Sequence, residues 1–316
     1  MVFLEAFESM LGIMLLTAIG YVLTWRGWVD ETTEAFMPRL LVNVVIPPYL
    51  MASVVGRFQS EQLWELILGS LVPLASMATG YAVCRALASL LRVQTGRRGL
   101  FATASCLSNT IFIGIPVNLA LFGESALPYC LVYFFANTLF FWTVGAWSIG
   151  GEGAGAVRRP TLLQTARRVL SLPLIGMVLG IALVLAAIPV PRVILDTCGY
   201  LGGISTPLAL IYVGVVMRRT NWQRLAQMGR DLALCVLCRV ALCPLILCAM
   251  LAFLDMPRLM EQVFVIQSCL PVMMTVSIYA GYVAADKEFA SLMVAGSALT
   301  GMLTVPTWMV VIQYLL

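Results

Sequence analysis

Two stretches of this sequence place polar and helix-breaking residues where an apolar chain tolerates them least. The first is SNTIFIGIPVN, residues 108–118, inside an apolar segment running from about Leu100 to Phe122. Ser108, Asn109, Thr110 and Asn118 carry short amides and hydroxyls that can bond freed backbone groups or a polar ligand. Pro116 lacks the backbone donor and clashes with the preceding turn, and Gly114 lets the chain bend, so a break is expected here. A break strands carbonyls on one half-helix and amides on the other. The amide end carries a partial positive charge that attracts anions. The second stretch, IQSCLPVMMTVSIYAGYV, offers Pro271, Thr275 and Ser277. Arg239 lies about two turns inside a third apolar run, where a charge is costly and marks a functional candidate. From sequence it reads equally as an anion-attracting group or as a side chain snorkelling to the membrane surface.

The chemistry on offer is binding, not bond-making. The chain has no histidine, which removes the usual metal ligand and the usual general base near neutral pH. Cys235 and Cys238 form a CxxC, but on a predicted membrane helix without further ligands nearby. The nine cysteines fall mostly in apolar runs, where the thiol behaves as a small hydrophobe. No cofactor, disulfide framework or metal site is expected, and no Walker-type phosphate loop is present. A membrane-embedded enzyme would need a nucleophile, base or metal set that these residues do not supply.

The elements that must position these residues follow from composition. Of 316 residues, 61% are hydrophobic and 11% charged. A soluble domain is about a quarter charged, so this chain cannot cover a water-facing surface and reads as integral to the membrane. The net charge of +4 is no nucleic-acid signal, because the arginines flank apolar runs. A spanning helix needs roughly 20 mostly apolar residues. That ruler gives ten spans, near 5–25, 35–55, 63–90, 98–122, 126–149, 169–188, 193–217, 231–254, 260–283 and 289–315. Runs this long can satisfy their backbone in lipid only as helices. The opening MVFLEAFESMLGIMLL carries Glu5 and Glu8 and no basic region, so it reads as the first span, not a signal peptide.

With the N-terminus outside, thirteen Lys and Arg fall in the inner loops and their flanks, against Arg57, Arg192 and Arg258 in the outer ones. This positive-inside bias places both termini outside a multi-pass cell-membrane protein. The polar segment 150–166, containing GGEGAGAVRRP, divides the chain into residues 1–149 and 167–316, five spans each. Five is odd, so the second half enters the membrane upside down, an inverted repeat of the kind found in secondary transporters. Ser105-Cys106-Leu107 recurs as Ser268-Cys269-Leu270 before the second polar stretch. Breaks at corresponding positions of inverted halves point to a midplane site, and an ordinary proline kink is the competing explanation. Gly176 and Gly180 make a small-xxx-small contact, expected within one chain. No carboxylate stands out as a sodium or proton ligand.

SNTIFIGIPVNLALFGESALPYCLVYFFANTLFFWTVG, with its Asn, Gly-Ile-Pro, Phe-Gly-Glu and Asn-Thr-Leu elements, resembles the bacterial branch of the auxin efflux carrier family, which includes malonate and malate permease-like proteins. The run PVMMTVSIYAGYVAADKEFASLMVAGSALTGMLTVPTW is similar to that family's last two spans. The resemblance implies an all-α membrane fold of two inverted five-helix repeats, like the bile-acid/sodium symporters, with helices 4 and 9 broken and crossing at mid-membrane. It also implies a small organic anion bound at the crossing, and a homodimer through helices 1, 2, 6 and 7. Asn109, Gly114 and Pro116 match the first crossover. The second departs from the pattern, reading Met273, Met274, Thr275 and Val276, with Thr275 as the substitute. A Na+ or H+ coupling ion is compatible with the resemblance. A sensor that binds its ligand without moving it would use the same residues.

Overall fold

The computed structural model describes residues 2–57, 68–153, 172–219, 223 and 229–315. Most of the expected linker 150–166 lies outside the described residues. The described chain is helical. In order come α1 (Val2–Trp25), α2 (Glu31–Gly56), α3 (Leu71–Leu90), α4 (Arg98–Cys106), α5 (Thr110–Phe122) and α6 (Glu124–Gly150). They are followed by α7 (Leu172–Leu185), α8 (Arg192–Arg219), α9 (Gly229–Leu251), α10 (Arg258–Cys269), α11 (Met274–Tyr282) and α12 (Lys287–Leu315). Among the described residues, five helices are long and apolar enough to cross a membrane: α2, α3, α6, α8 and α9. Several shorter apolar helices accompany them, so the chain is a multi-pass membrane protein.

Two bodies share the structure. Helices α1 and α8 pack along each other, and α7 packs along α2. Gly176 and Gly180 turn towards α2 of the same chain, where a Cβ on Gly180 would stand 2.8 Å from the Met51 carbonyl and 2.9 Å from Val54. Only a bare backbone allows that approach. The second body gathers α3, α4, α6 and α9–α12 around one buried cluster that includes Phe101, Phe141, Phe264 and Phe289. A smaller cluster joins Ile115, Cys130 and Val263 to Leu50, Val54 and Met177, and so seals the two bodies together.

Proline shapes three helices in one way. Ile46, Ile115 and Cys243 each donate to the carbonyl five residues back, at Leu41, Thr110 and Cys238. Each is followed by a proline: Pro47, Pro116 and Pro244. The wider turn moves the proline ring away from the carbonyl it would otherwise strike. Pro116 therefore does not break its helix as expected from sequence; it sits near the start of a regular stretch. The chain is interrupted upstream instead, between Cys106 and Thr110. Gly114 is not a hinge either. Its φ of −65° and ψ of −49° are helical.

At one end of the second body, polar side chains hold the helix starts. Glu152 accepts from the Gly99 amide at 2.5 Å and the Leu100 amide at 2.9 Å, capping α4 from just past the end of α6. Arg97 pairs with Asp286 at 2.5 Å, and Asp286 caps α12 through the Phe289 amide. A carboxylate at a helix N-terminus is favoured by the free amides and the helix dipole. Glu152 belongs to the segment that reads as plain linker in the sequence, because nothing local shows what it reaches.

Candidate functional site

Two helices stop at the same place. Cys106 ends α4 and Cys269 ends α10, and the extended residues that follow pair with each other across the gap. Ser108 and Val272 form an antiparallel bridge. The Asn109 amide donates to the Pro271 carbonyl at 2.9 Å, and the Met273 amide donates to the Leu107 carbonyl at 3.1 Å. Backbone without its own helical bonds is admissible inside a membrane protein only where protein partners satisfy it. Apart from half-buried Met273, the residues of the pairing are nearly or wholly buried, so the partners can be named.

Asn137, on α6, holds the first strand. Its Oδ1 accepts from the Ser108 amide and its Nδ2 donates to the Ser108 carbonyl, both at 3.0 Å. The side-chain amide thus acts as a short piece of neighbouring strand. On α12, Ser297 does the corresponding work for the second strand, its hydroxyl accepting from the Val272 amide at 2.9 Å. Asn137 belongs to the Asn-Thr-Leu element of the family resemblance, but an asparagine or serine in an apolar helix carries no mark of what it bonds.

Arg239 lies between the two breaks and is fully buried. Its Nε donates to the Leu270 carbonyl at 2.8 Å and its Nη1 to the Ser105 carbonyl at 3.1 Å. Nη2 donates to Ser108 Oγ at 2.5 Å and to the Ser268 carbonyl. These carbonyls are the last of α4 and α10, the negative ends of both helix dipoles. Arg239 therefore does not snorkel. It spans the ends of both half-helices with the rigid fork of a guanidinium. Its own turn is the wide one at Cys238–Leu242. Pro244 cannot bond the Val240 carbonyl, and Trp308 Nε1 takes that carbonyl at 2.7 Å, fixing α9 against α12.

The other candidates divide. Asn109 caps α5, its Oδ1 accepting from the Phe112 amide at 3.2 Å. Thr110 is buried, and its amide donates to the Ser108 carbonyl. Asn118 lies two turns away, its Nδ2 donating to the Gly114 carbonyl at 2.8 Å. Gly114 faces α10 closely: a Cβ there would run into Gln267 Oε1 and stand 2.8 Å from Leu270 Cδ1. Alanine at 114 is accordingly expected to cost about 1–3 kcal/mol by overpacking, although its helix propensity is better than glycine's. A thermal melt checks this, and a variant as stable as the native protein would refute the close contact. Pro271 lies in the crossing itself. Thr275 is half-buried on α11, and Ser277 turns aside to share a hydrogen bond of 2.7 Å with Ser291 of α12.

Beside the crossing, α5 and the first body leave a narrow crevice. It is lined by Ile46 and Tyr49 of α2, Ser205 and Ala209 of α8, and Ile111, Ile115 and Pro116 of α5. Its walls are mostly apolar, and one wall is the broken helix itself. Among the described residues no group of three or more Cys, Asp or Glu has the arrangement to hold a metal ion.

The chain's relatives point the same way. Residues 5–309 match the family described as membrane transport protein. An uncharacterized transporter of Methanothermobacter thermautotrophicus is 25% identical over 318 residues, covering 99% of this chain and 100% of that protein. An uncharacterized transporter of Methanocaldococcus jannaschii is 22% identical over 212 residues, covering 66% of this chain and 68% of its own length. With crossed half-helices at its centre and a family match across nearly its whole length, the chain belongs to the membrane transport protein family of auxin efflux carriers and malonate permease-like proteins.

Proposed function

We propose that this protein is a secondary carrier that moves small organic anions, carboxylates or auxin-like acids, across the cell membrane by alternating access. The observation that carries the proposal is the antiparallel pairing of two unwound segments, each interrupting a helix, at one buried point. Broken helices at corresponding positions of inverted halves are where secondary carriers hold their cargo. The ten-span, two-repeat architecture has further support in exchanged contacts. The first helix of the chain packs along α8, and α7, the first of the second half, packs along α2. Gly214 lies over Thr17 of α1 even more tightly than Gly180 does over α2. Asn137 and Ser297 stand in matching places behind the two crossing strands. Residues 105–118 and 268–279 contain no acidic side chain, so a cationic cargo would enter without a counter-charge and at a desolvation cost of several kcal/mol.

Uptake of a panel of carboxylates by proteoliposomes, with and without Na+ and H+ gradients, tests the reading and identifies any coupling ion. Saturable flux of at least one acid is expected. Tight binding of an acid without flux would make the protein a sensor, and equal handling of matched amines would refute the anion assignment. A homodimer through α1, α2, α7 and α8 is part of the same proposal.

Orientation gives a separate prediction. Both termini are expected outside and the segment between the two halves inside. On a cysteine-less background, cysteine at exposed Gly151 should label only from within, and cysteine at exposed Ser125 only from outside. Outside labelling at 151 would overturn the topology and the inverted repeat with it.

Asn109→Ala removes the α5 cap, an effect of about 1 kcal/mol on stability. Transport is expected to fall at least about tenfold while the protein still folds, because the amide also faces the crossing. Wild-type flux from the folded variant would reduce Asn109 to a cap alone.

A further inference from the structure

We propose that Arg239 sets the sign of the crossing and discriminates between ligands of different charge through space, without touching them. The proposal rests on the anion-carrier reading and says which group makes it hold. Arg239 is sealed from solvent, and the partners found for it are neutral: three carbonyls and the Ser108 hydroxyl. The ion pairs formed by described residues, Arg97 with Asp286 and Arg219 with Glu34, lie elsewhere. A buried charge ordinarily has an ionic partner, and here none is in place among the described residues.

The helix ends do not supply the missing sign. The carbonyl ends of α4 and α10 each carry the equivalent of about half a negative charge. The amide ends of α5 and α11, on the other side of the same two breaks, each carry about half a positive charge. These four ends cancel to first order. What remains is the guanidinium, a net charge of about +1 in a water-poor interior. Without Arg239 the crossing would be neutral, and half-helix amides alone would not favour an anion over an uncharged analogue.

Distance allows the effect. Ser108, which bonds Nη2, is three residues from Ile111 on the crevice wall. Three residues span at most about 11 Å. A unit charge at about 10 Å, with an effective dielectric near 20, shifts the affinity of a monoanion by about tenfold, and a second ligand charge repeats the factor. Ser108 thus carries two jobs: its hydroxyl holds the fork, and its chain connects the fork to the crevice.

The test compares succinamide, succinamate and succinate, of charge 0, −1 and −2, binding to the purified full-length protein. In the wild type, affinity should rise about tenfold with each added charge. Arg239→Gln should flatten this to less than about threefold. Ser108→Asp keeps the arginine and its three carbonyl bonds but places a carboxylate at the point where Nη2 now meets a hydroxyl. It should flatten the series equally, and it decides the matter if the glutamine variant does not fold. Arg239→Lys keeps the charge without the fork and should preserve the slope even where overall affinity drops. A folded Ser108→Asp or Arg239→Gln protein with the wild-type slope overturns the proposal, as does loss of the slope in the lysine variant. Equal affinity of all three compounds for the wild type would instead refute the anion reading on which the proposal stands.

Discussion

Arg239→Met is expected to abolish transport and to remove about 3–5 kcal/mol of stability. Methionine fills much of the same space and ends the expense of burying a charge, which by itself would stabilise. Against that, it leaves the carbonyls of Ser105, Ser268 and Leu270 and the hydroxyl of Ser108 without the donor they share. Each buried polar group stranded in this way costs about 1–3 kcal/mol. The carbonyl groups belong to the ends of two helices, so their mutual repulsion returns once the cation is gone. The extended strands are then held only by their own pairing, Asn137 and Ser297. Differential scanning fluorimetry in detergent and uptake in proteoliposomes check both halves of the prediction. A methionine variant with native melting and native flux would show that the crossing holds itself.

Asn137→Leu is expected to be nearly as damaging, at about 2–5 kcal/mol. Leucine matches the volume but offers nothing to the Ser108 amide or carbonyl, and two backbone groups lose their partner at once. Glutamine keeps both bonding atoms but adds a methylene to a fully buried site, and it too is expected to fail through overpacking. The corresponding change on the other strand, Ser297→Ala, removes a single acceptor from the Val272 amide and should cost less, about 1–3 kcal/mol. The ranking is the sharper part of the expectation. Were Ser297→Ala to destabilise more than Asn137→Leu, the bidentate contact would not be the stronger clamp. Far-ultraviolet circular dichroism before and after reconstitution separates a folded but inactive carrier from one that does not fold.

Much of this protein was legible in one dimension. The shortage of charge dictated a membrane solvent, and a membrane solvent dictated helices, because lipid offers the backbone no other partner. Run lengths and the arginine bias then set ten spans and their direction as expectations. The polar stretches around Ser108 and Pro271 marked the crossing, since a helix in lipid keeps asparagine, serine and proline together only where something satisfies them. Gly176 and Gly180 announced a close helix contact, and α2 of the same chain supplies it. What sequence could not decide was where the break falls and who closes it. Pro116 looked like the breaker, yet a widened turn absorbs its ring, and the chain opens upstream, where Asn137 takes both backbone groups of Ser108 and the neighbouring amides pair across the two breaks. Arg239 read equally as an anion-attracting group or as a snorkelling side chain, and it does not snorkel, because its acceptors come from residues 29 to 134 positions away. Asn137, Ser297 and Glu152 carried no local sign of their partners for the same reason. Each bonds a backbone group that becomes available only after two distant helices have stopped or started beside it. Hydrophobicity and charge are properties of single residues and survive in the order of the chain. A hydrogen bond to an interrupted backbone belongs to a pair of residues, and only the folded arrangement says which pair.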